Sequence, residues 1–177
     1  YRKAFRTSSN AKIVKARLYT SALGVYESYI NGQRVGRKMA DGSVQYEELK
    51  PGFTQRNLRQ FYSSFDVTWM LQEGENVLGA VVTDGWWKGV GSVFRGKEEA
   101  YLAKLILSYA DGTQTVVVTD TSWRSARFGG AFVLPSNHYA IQGKYRETGI
   151  YAGERFDATV DQSWMQPGFD DSAWGYA

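Results

Sequence analysis

The stretch VYESYINGQRVG, Val25–Gly36, decides how this chain folds. Val25, Glu27 and Tyr29 share one parity, while Tyr26, Ser28 and Ile30 share the other. Such alternation suits a strand with one buried face. Asn31-Gly32 follows at once. Both residues readily take positive φ, which the tight turn of a two-residue hairpin demands at its central positions. The stretch therefore predicts a β-hairpin.

The same signals recur on both sides. AKIVKARLYTSA (11–22) is partly alternating and suits a half-buried strand. QFYSSFDVTWML (60–71) predicts a strand running into one helical turn, with Asp66 as its N-cap. QEGEN turns the chain. VLGAVVTD (77–84) has the length and β-branching of a buried strand. Tyr101 to Tyr109, the Asp111-Gly112 turn and Thr113 to Thr119 repeat the hairpin pattern. FDATVD (156–161) predicts a late strand, and PGFDDSAWGYA (167–177) a polar turn segment with aromatic anchors.

No stretch sustains a 3.6-residue apolar period. The expected fold is all-β, an antiparallel β-sandwich or jelly roll with one or two short helical turns. No repeat, linker or internal boundary interrupts it, so residues 1–177 read as a single domain. The chain begins YRKAFR, with the look of a strand interior, and ends inside a pattern. It reads as a piece cut from a longer polypeptide.

Composition removes several chemistries. There are no cysteines, which excludes disulfides, thiolate catalysis and Cys-zinc sites. A net charge of +3 without a dense basic stripe argues against a nucleic-acid partner. No apolar run approaches the roughly 18 residues of a membrane helix, so no membrane partner is expected. The one histidine, His138, lies in a polar PSNHYA loop without a Gly-x-Ser-x-Gly elbow, and it reads as a surface residue. No phosphate-binding glycine loop follows a strand.

Glycoside hydrolysis needs two carboxylates flanking one bond. Glu47-Glu48 and Glu98-Glu99 are adjacent pairs, which a strand would point to opposite faces. Asp84 with a distant glutamate is the remaining combination. Aromatic stacking is the stronger signal, because sugars lay their C–H faces on indole and phenol rings. In DGWWKG (84–89), Gly85 frees the backbone after a strand, so Trp86 and Trp87 project in different directions, one inward and one accessible. Both rings in a core, or both at an interdomain contact, is the bland alternative.

The ordered set ARLYTSALGVYESYINGQRVG (16–36), LKPGFTQRNLRQFYSSFDVTWMLQEGENVLGAVVTDGWWKG (49–89), AKLILSYADGTQTVVVTDTSWR (103–124) and YAGERFDATVDQSWMQPGFDDSAWGYA (151–177) resembles the N-terminal β-sandwich region of bacterial α-L-rhamnosidases of glycoside hydrolase family 78. The resemblance runs over nearly the whole chain. It implies a sandwich similar to galactose-binding domains. It implies a parent enzyme that removes terminal L-rhamnose with inversion, its acid and base lying in a separate (α/α)₆ barrel. A domain of this type binds L-rhamnose in some members, with calcium as helper. After Leu-x-Pro-Gly the family pattern is Trp-Thr-Asp, whereas this chain has Phe53, Thr54, Gln55 and Arg56. Gln55 is a weaker calcium ligand than a carboxylate. Asp84, Glu98 and Glu99 are the other oxygen donors. The sequence itself leaves the compartment open; the periplasm or the outside of the cell is the expectation for the parent, with the cytoplasm as alternative.

Three readings follow. In the first, the domain is an accessory L-rhamnose-binding module in which Trp86 and Trp87 stack and Asp84, Gln55, Arg56, Glu98 and Glu99 supply polar contacts. In the second, it is a structural domain packing on the catalytic barrel of the same polypeptide. In the third, it is an independent enzyme using Asp84 or Glu99. A pocket lined by Asp84 and Trp87 favours the first, and a broad apolar face the second.

Overall fold

The computed structural model describes residues 1–53, 58–88, 96–127 and 161–177. Among the described residues twelve strands follow one another: β1 (Arg2–Arg6), β2 (Ile13–Leu23), β3 (Val25–Ile30), β4 (Gln33–Arg34), β5 (Arg37–Lys38), β6 (Val44–Gln45), β7 (Ser63–Asp66), β8 (Glu75–Thr83), β9 (Ala100–Tyr109), β10 (Gln114–Val118), β11 (Arg124–Ser125) and β12 (Gly175–Tyr176). Two 3₁₀ turns, Thr68–Met70 and Ser163–Met165, are the helical elements among the described residues. One sheet has the order β12-β11-β1-β8-β3-β4 and the other β10-β9-β2-β7, with a small β5-β6 ribbon. Every pairing between these strands is antiparallel. The chain shuttles between the layers: β2 lies in the four-stranded sheet, β3 in the six-stranded one, β7 in the first again and β8 in the second. Crossings of that kind make a jelly-roll-like sandwich.

Val25–Gly36 forms the expected hairpin. Tyr26, Ser28 and Ile30 are buried, while Val25, Glu27 and Tyr29 are not fully so. Asn31 has φ of 50° and Gly32 of 79°, the two positive values that the turn requires. Asn31 also does something the turn signal did not indicate. Its side-chain oxygen accepts from the Val77 backbone N–H at 2.9 Å, and its amide donates to Asn76 at 2.8 Å. The hairpin tip is thereby bolted to β8.

The transit from β2 to β3 takes a single residue. Gly24 has φ of 131°, and a Cβ there would lie 2.3 Å from the Thr83 carbonyl oxygen. No L side chain fits that corner without moving backbone.

Two local expectations change. Position Val67, not Asp66, is the N-cap of the Thr68–Met70 turn. Asp66 acts one residue earlier, its carboxylate accepting from the Thr68 N–H at 3.0 Å and hydroxyl at 2.7 Å. The short polar side chain folds onto its own backbone two residues on, as aspartate does in turns. The β9–β10 connection is also wider than a two-residue turn. Tyr109 N–H donates to the Thr113 carbonyl, and only Gly112 has positive φ, at 84°. Asp111 keeps negative φ because its carboxylate takes the Thr113 N–H and hydroxyl. The FDATVD strand and the His138 loop lie outside the described residues.

The core fills the space between the layers. Ala16, Leu18, Leu105 and Leu107 face Tyr26, Ile30 and Leu78, with Trp123 closing one end. The C-terminal segment covers the outer face of the six-stranded sheet. Trp164 lies over Gly79, where a Cβ would come within 3.0 Å of its ring, and it packs against Trp174. Buried Arg2 fastens this segment from β1. Its guanidinium donates to the Trp164 carbonyl at 2.9 Å and pairs with Asp171.

Candidate functional site

The residues after β8 form a tight turn. The Asp84 carbonyl accepts from the Trp87 N–H at 3.0 Å and the Lys88 N–H at 3.3 Å, and Gly85 takes φ of 54°. Trp86 and Trp87 leave this turn in different directions, as expected. The expected split into one inward ring and one accessible ring does not occur, because both are half-buried. Trp87 lies over Gly96, and its indole N–H donates to the Glu98 carbonyl at 2.7 Å. Trp86 meets Phe53 edge-on at 5.9 Å.

The turn also delivers Asp84 to Glu99, at the start of β9. The two side chains share a hydrogen bond, and the Lys88 ammonium donates to Glu99 at 2.8 Å and stands 4.0 Å from Asp84. Burial, then the hydrogen bond and charge of Glu99, push the Asp84 carboxyl up to about 6, against the pull of Lys88. For Glu99, burial pushes upward, but the hydrogen bonds from Asp84 and Lys88 outweigh it and hold the carboxyl at about 2. Between pH of about 2 and about 6 the pair thus holds one proton between two acids.

Such a pair cannot work as a glycosidase dyad. Retaining enzymes separate their carboxyl groups by about 5 Å and inverting enzymes by more, and a directly hydrogen-bonded pair leaves no room for a sugar between them. The other acids are structural. Glu47 takes two bonds from Arg37, and Glu48 pairs with Arg34. Glu98 is exposed. Gln55 and Arg56 lie outside the described residues. Among the described residues no three metal-ligating side chains converge.

The shared proton predicts a pH dependence. A folded-state value near 6 against 3.8 when unfolded means that the folded chain binds more protons between those values, so Asp84 stabilises at low pH and loses that contribution as pH rises through about 6. Glu99 contributes above its ordinary value of 4.5 and loses its contribution only as pH falls through about 2. Between pH ~4.5 and ~7 the Tyr1 ammonium, which burial lowers to about 6, also titrates differently in the two states, but it is common to both chains and cancels when an Asp84 variant is compared with its parent. Asp84→Asn keeps a donor to Glu99 without the proton. Its melting temperature should therefore rise relative to the parent chain as pH increases over that window. Parallel curves would contradict the shared proton.

A cleft of about 540 Å³ opens beside this trio, lined among others by Lys88, Glu98, Glu99, Arg127 and Tyr176. Neither tryptophan of the turn lines it. The tryptophan side leads instead to a run of exposed aromatics. Trp86 touches Phe53, Phe61 comes against Gly52, and Tyr62 packs on Tyr19 of β2 at 6.2 Å. Phe53 is 51% exposed, Leu58 73%, Phe61 54% and Tyr62 67%. Sequence reasoning singled out Trp86 but missed Phe61, Tyr62 and Lys88. Phe61 and Tyr62 read as strand residues, and only their position beyond the end of an edge strand exposes them.

Comparison with known proteins agrees with this fold. Residues 11–177 match the family described as the alpha-L-rhamnosidase N-terminal domain. An alpha-L-rhamnosidase of Streptomyces avermitilis is 36% identical over 168 residues, covering 92% of this chain and 14% of that protein. A crystal structure of the S. avermitilis alpha-L-rhamnosidase complexed with L-rhamnose superposes with a TM-score of 0.76 at 34% identity, over 99% of this chain and 15% of that one. The native α-L-rhamnosidase of Aspergillus terreus gives 0.77 at 30% identity, over 99% and 18%. The chain therefore spans about a sixth of the length of these relatives. The matched residues and the superposed sandwich agree: this chain belongs to the family of alpha-L-rhamnosidase N-terminal domains.

Proposed function

We propose that this chain is the non-catalytic N-terminal domain of a longer α-L-rhamnosidase, and that it docks its aromatic rim onto the remainder of the same polypeptide. Removal of terminal L-rhamnose, with inversion, belongs to a catalytic (α/α)₆ barrel elsewhere in that protein. The carrying observation is the rim from Trp86 through Phe53 and Phe61 to Tyr62, with three of its rings at least half exposed. Apolar surface of that extent is rarely left in water, and aromatic residues are enriched at contacts between folded units. The relatives supply the occupant, since more than four-fifths of their length lies outside the matched region.

L-rhamnose binding is the second reading. Partly exposed Trp86, two residues from Asp84, is the observation on its side. Calcium could serve it only through oxygens such as those of Asp84, Glu98 and Glu99, since Gln55 stands where the family has a carboxylate.

The test is a triple substitution, Phe53→Ser, Phe61→Ser and Tyr62→Ser, in the full-length protein. Docking predicts that a single melting transition splits or broadens, and that the N-terminal domain becomes cleavable from the rest by protease. Unchanged melting together with lost L-rhamnose binding would favour the sugar site instead.

A further inference from the structure

The outermost strand of a sheet turns half of its backbone groups away from the ladder, and native chains blunt such edges by shortness, charge or cover. Three edges of the two large sheets are blunted here. β4 and β12 have two residues each, and β7 carries Asp66, with Arg37 of the β5-β6 ribbon over its Phe65 ring. The fourth edge, β10, is five residues long and reads QTVVV, with no charge and no proline, paired to β9 without a bulge. Register decides which of its groups face the open side. Tyr109 N–H donates to the Thr113 carbonyl and Thr119 N–H to the Ala103 carbonyl, each at 3.0 Å. The odd-numbered residues of β10 therefore bond to β9, and Gln114, Val116 and Val118 turn their backbone N–H and C=O groups outward. Among the described residues one of these groups has a partner, the Val118 carbonyl, which accepts from the Trp123 indole at 2.9 Å. The side chains of the same residues lie on the solvent face, Val116 50% and Val118 41% exposed.

We infer that β10 pairs antiparallel with β10 of a second copy of this chain, about a two-fold axis through Val116, joining two four-stranded sheets edge to edge. Alternating outward N–H and C=O groups select an extended strand as their partner. In this register the edge complements itself. The Val116 N–H of each copy meets the Val116 carbonyl of the other, and the Val118 N–H meets the Gln114 carbonyl. On the solvent face Val116 lies against Val116 and Val118 against Gln114, so no charge is opposed. Lys104 is the cation beside Val118 on that face. Three strand spacings, ~14 Å, separate it from its counterpart, beyond the ~8 Å over which salt screens charges. A two-fold contact of this kind also closes, consuming the edge instead of propagating. The contact shares no residue with the aromatic rim, and its test leaves the docking reading untouched.

Sedimentation velocity of the 177-residue chain, up to sub-millimolar concentration, should show monomer passing to dimer. Over the same range amide hydrogen exchange should slow several-fold at Val116 and Val118, while Val117, bonded to β9 in both states, should not change. Val116→Lys and Val116→Glu should each weaken the dimer at least ten-fold, because the two-fold axis sets like charges face to face. An equimolar mixture of the two variants should associate again. The Val116 side chain is half exposed, so both variants should melt with the parent chain. The dimer should persist in the Phe53, Phe61 and Tyr62 variant. The proposal is overturned if the chain sediments as a monomer throughout, if Val116→Lys dimerises as well as the parent, or if the mixture does not restore association. It also fails if the rim variant abolishes the dimer. Protection of the Val116 and Val118 amides in a monomeric full-length polypeptide would overturn it too, by assigning the edge to a strand of the same molecule.

Discussion

Trp123→Ala should lower the unfolding free energy by about 3–5 kcal/mol, the range for deleting a fully buried large aromatic. For a chain of this size that is a fall in melting temperature of about 8–16 °C. Trp123 has no exposed surface and closes the end of the core where β10 leaves the four-stranded sheet. Its ring packs against Tyr101 at 5.9 Å, and its indole N–H donates to the Val118 carbonyl at 2.9 Å. The alanine variant would lose the area, the ring contact and the bond together, leaving a cavity between layers that are fixed by many other residues. Trp123→Phe should lose less, since most of the apolar volume stays. Urea titration checks both, with the slope expected to stay constant. A loss below about 1 kcal/mol for the alanine variant would mean that the core does not extend to this end.

Glu27→Ala should cost a similar amount by a different route. Lys50 is 2% exposed, and its ammonium donates to Glu27 at 2.9 Å and to the Glu47 carbonyl at 2.7 Å. Glu27 also receives Arg34 through Nε at 2.9 Å and Nη2 at 2.7 Å. Removing the carboxylate strands a buried ammonium, for which about 3–5 kcal/mol is the usual penalty. Arg34 keeps Glu48 at 3.0 Å, so the loss centres on Lys50. Replacing Lys50 by methionine in the same chain should recover most of the loss, because two matched apolar groups need no charge partner. Additive losses in the double variant would show that the ion pair is incidental. Lys50 also begins the turn that carries Phe53, and its carbonyl accepts from the Tyr26 N–H at 3.0 Å. Glu27 therefore positions one end of the aromatic rim, and the single variant should loosen that rim as well as lower stability.

The strands were legible in the sequence wherever a period of two coincided with strong turn chemistry. Tyr26, Ser28 and Ile30 declare a buried face, and Asn31-Gly32 declares its turn. The two-residue strands β4, β5, β6, β11 and β12 carry no period, since alternation needs more residues than they have. Asp66 and Asp111 were read for the right locality but the wrong role. A carboxylate that bonds its own backbone two residues on looks identical, in sequence, to one that caps a helix or sits in a two-residue turn.

The candidate site was legible only at one end. DGWWKG announced an unusual turn, but the partner of Asp84 stands fifteen positions away, just before β9, and sequence could name a glutamate without choosing it. The pairing arises because the chain, crossing from one sheet to the other, brings the start of β9 back near the end of β8. The exposed rim was less visible still. Phe61 and Tyr62 have the residue types of a core strand, and what exposes them is tertiary, their place at the edge next to β7.

Docking requires that this rim be covered in the whole protein. Hydroxyl-radical footprinting of Phe53, Phe61, Tyr62 and Trp86 tests it directly, comparing the 177-residue chain with the full-length polypeptide. Docking predicts that all four side chains react readily in the short chain and are protected several-fold in the long one, with or without L-rhamnose. Equal reactivity in both chains, with protection of Trp86 appearing only when L-rhamnose is added, would contradict it.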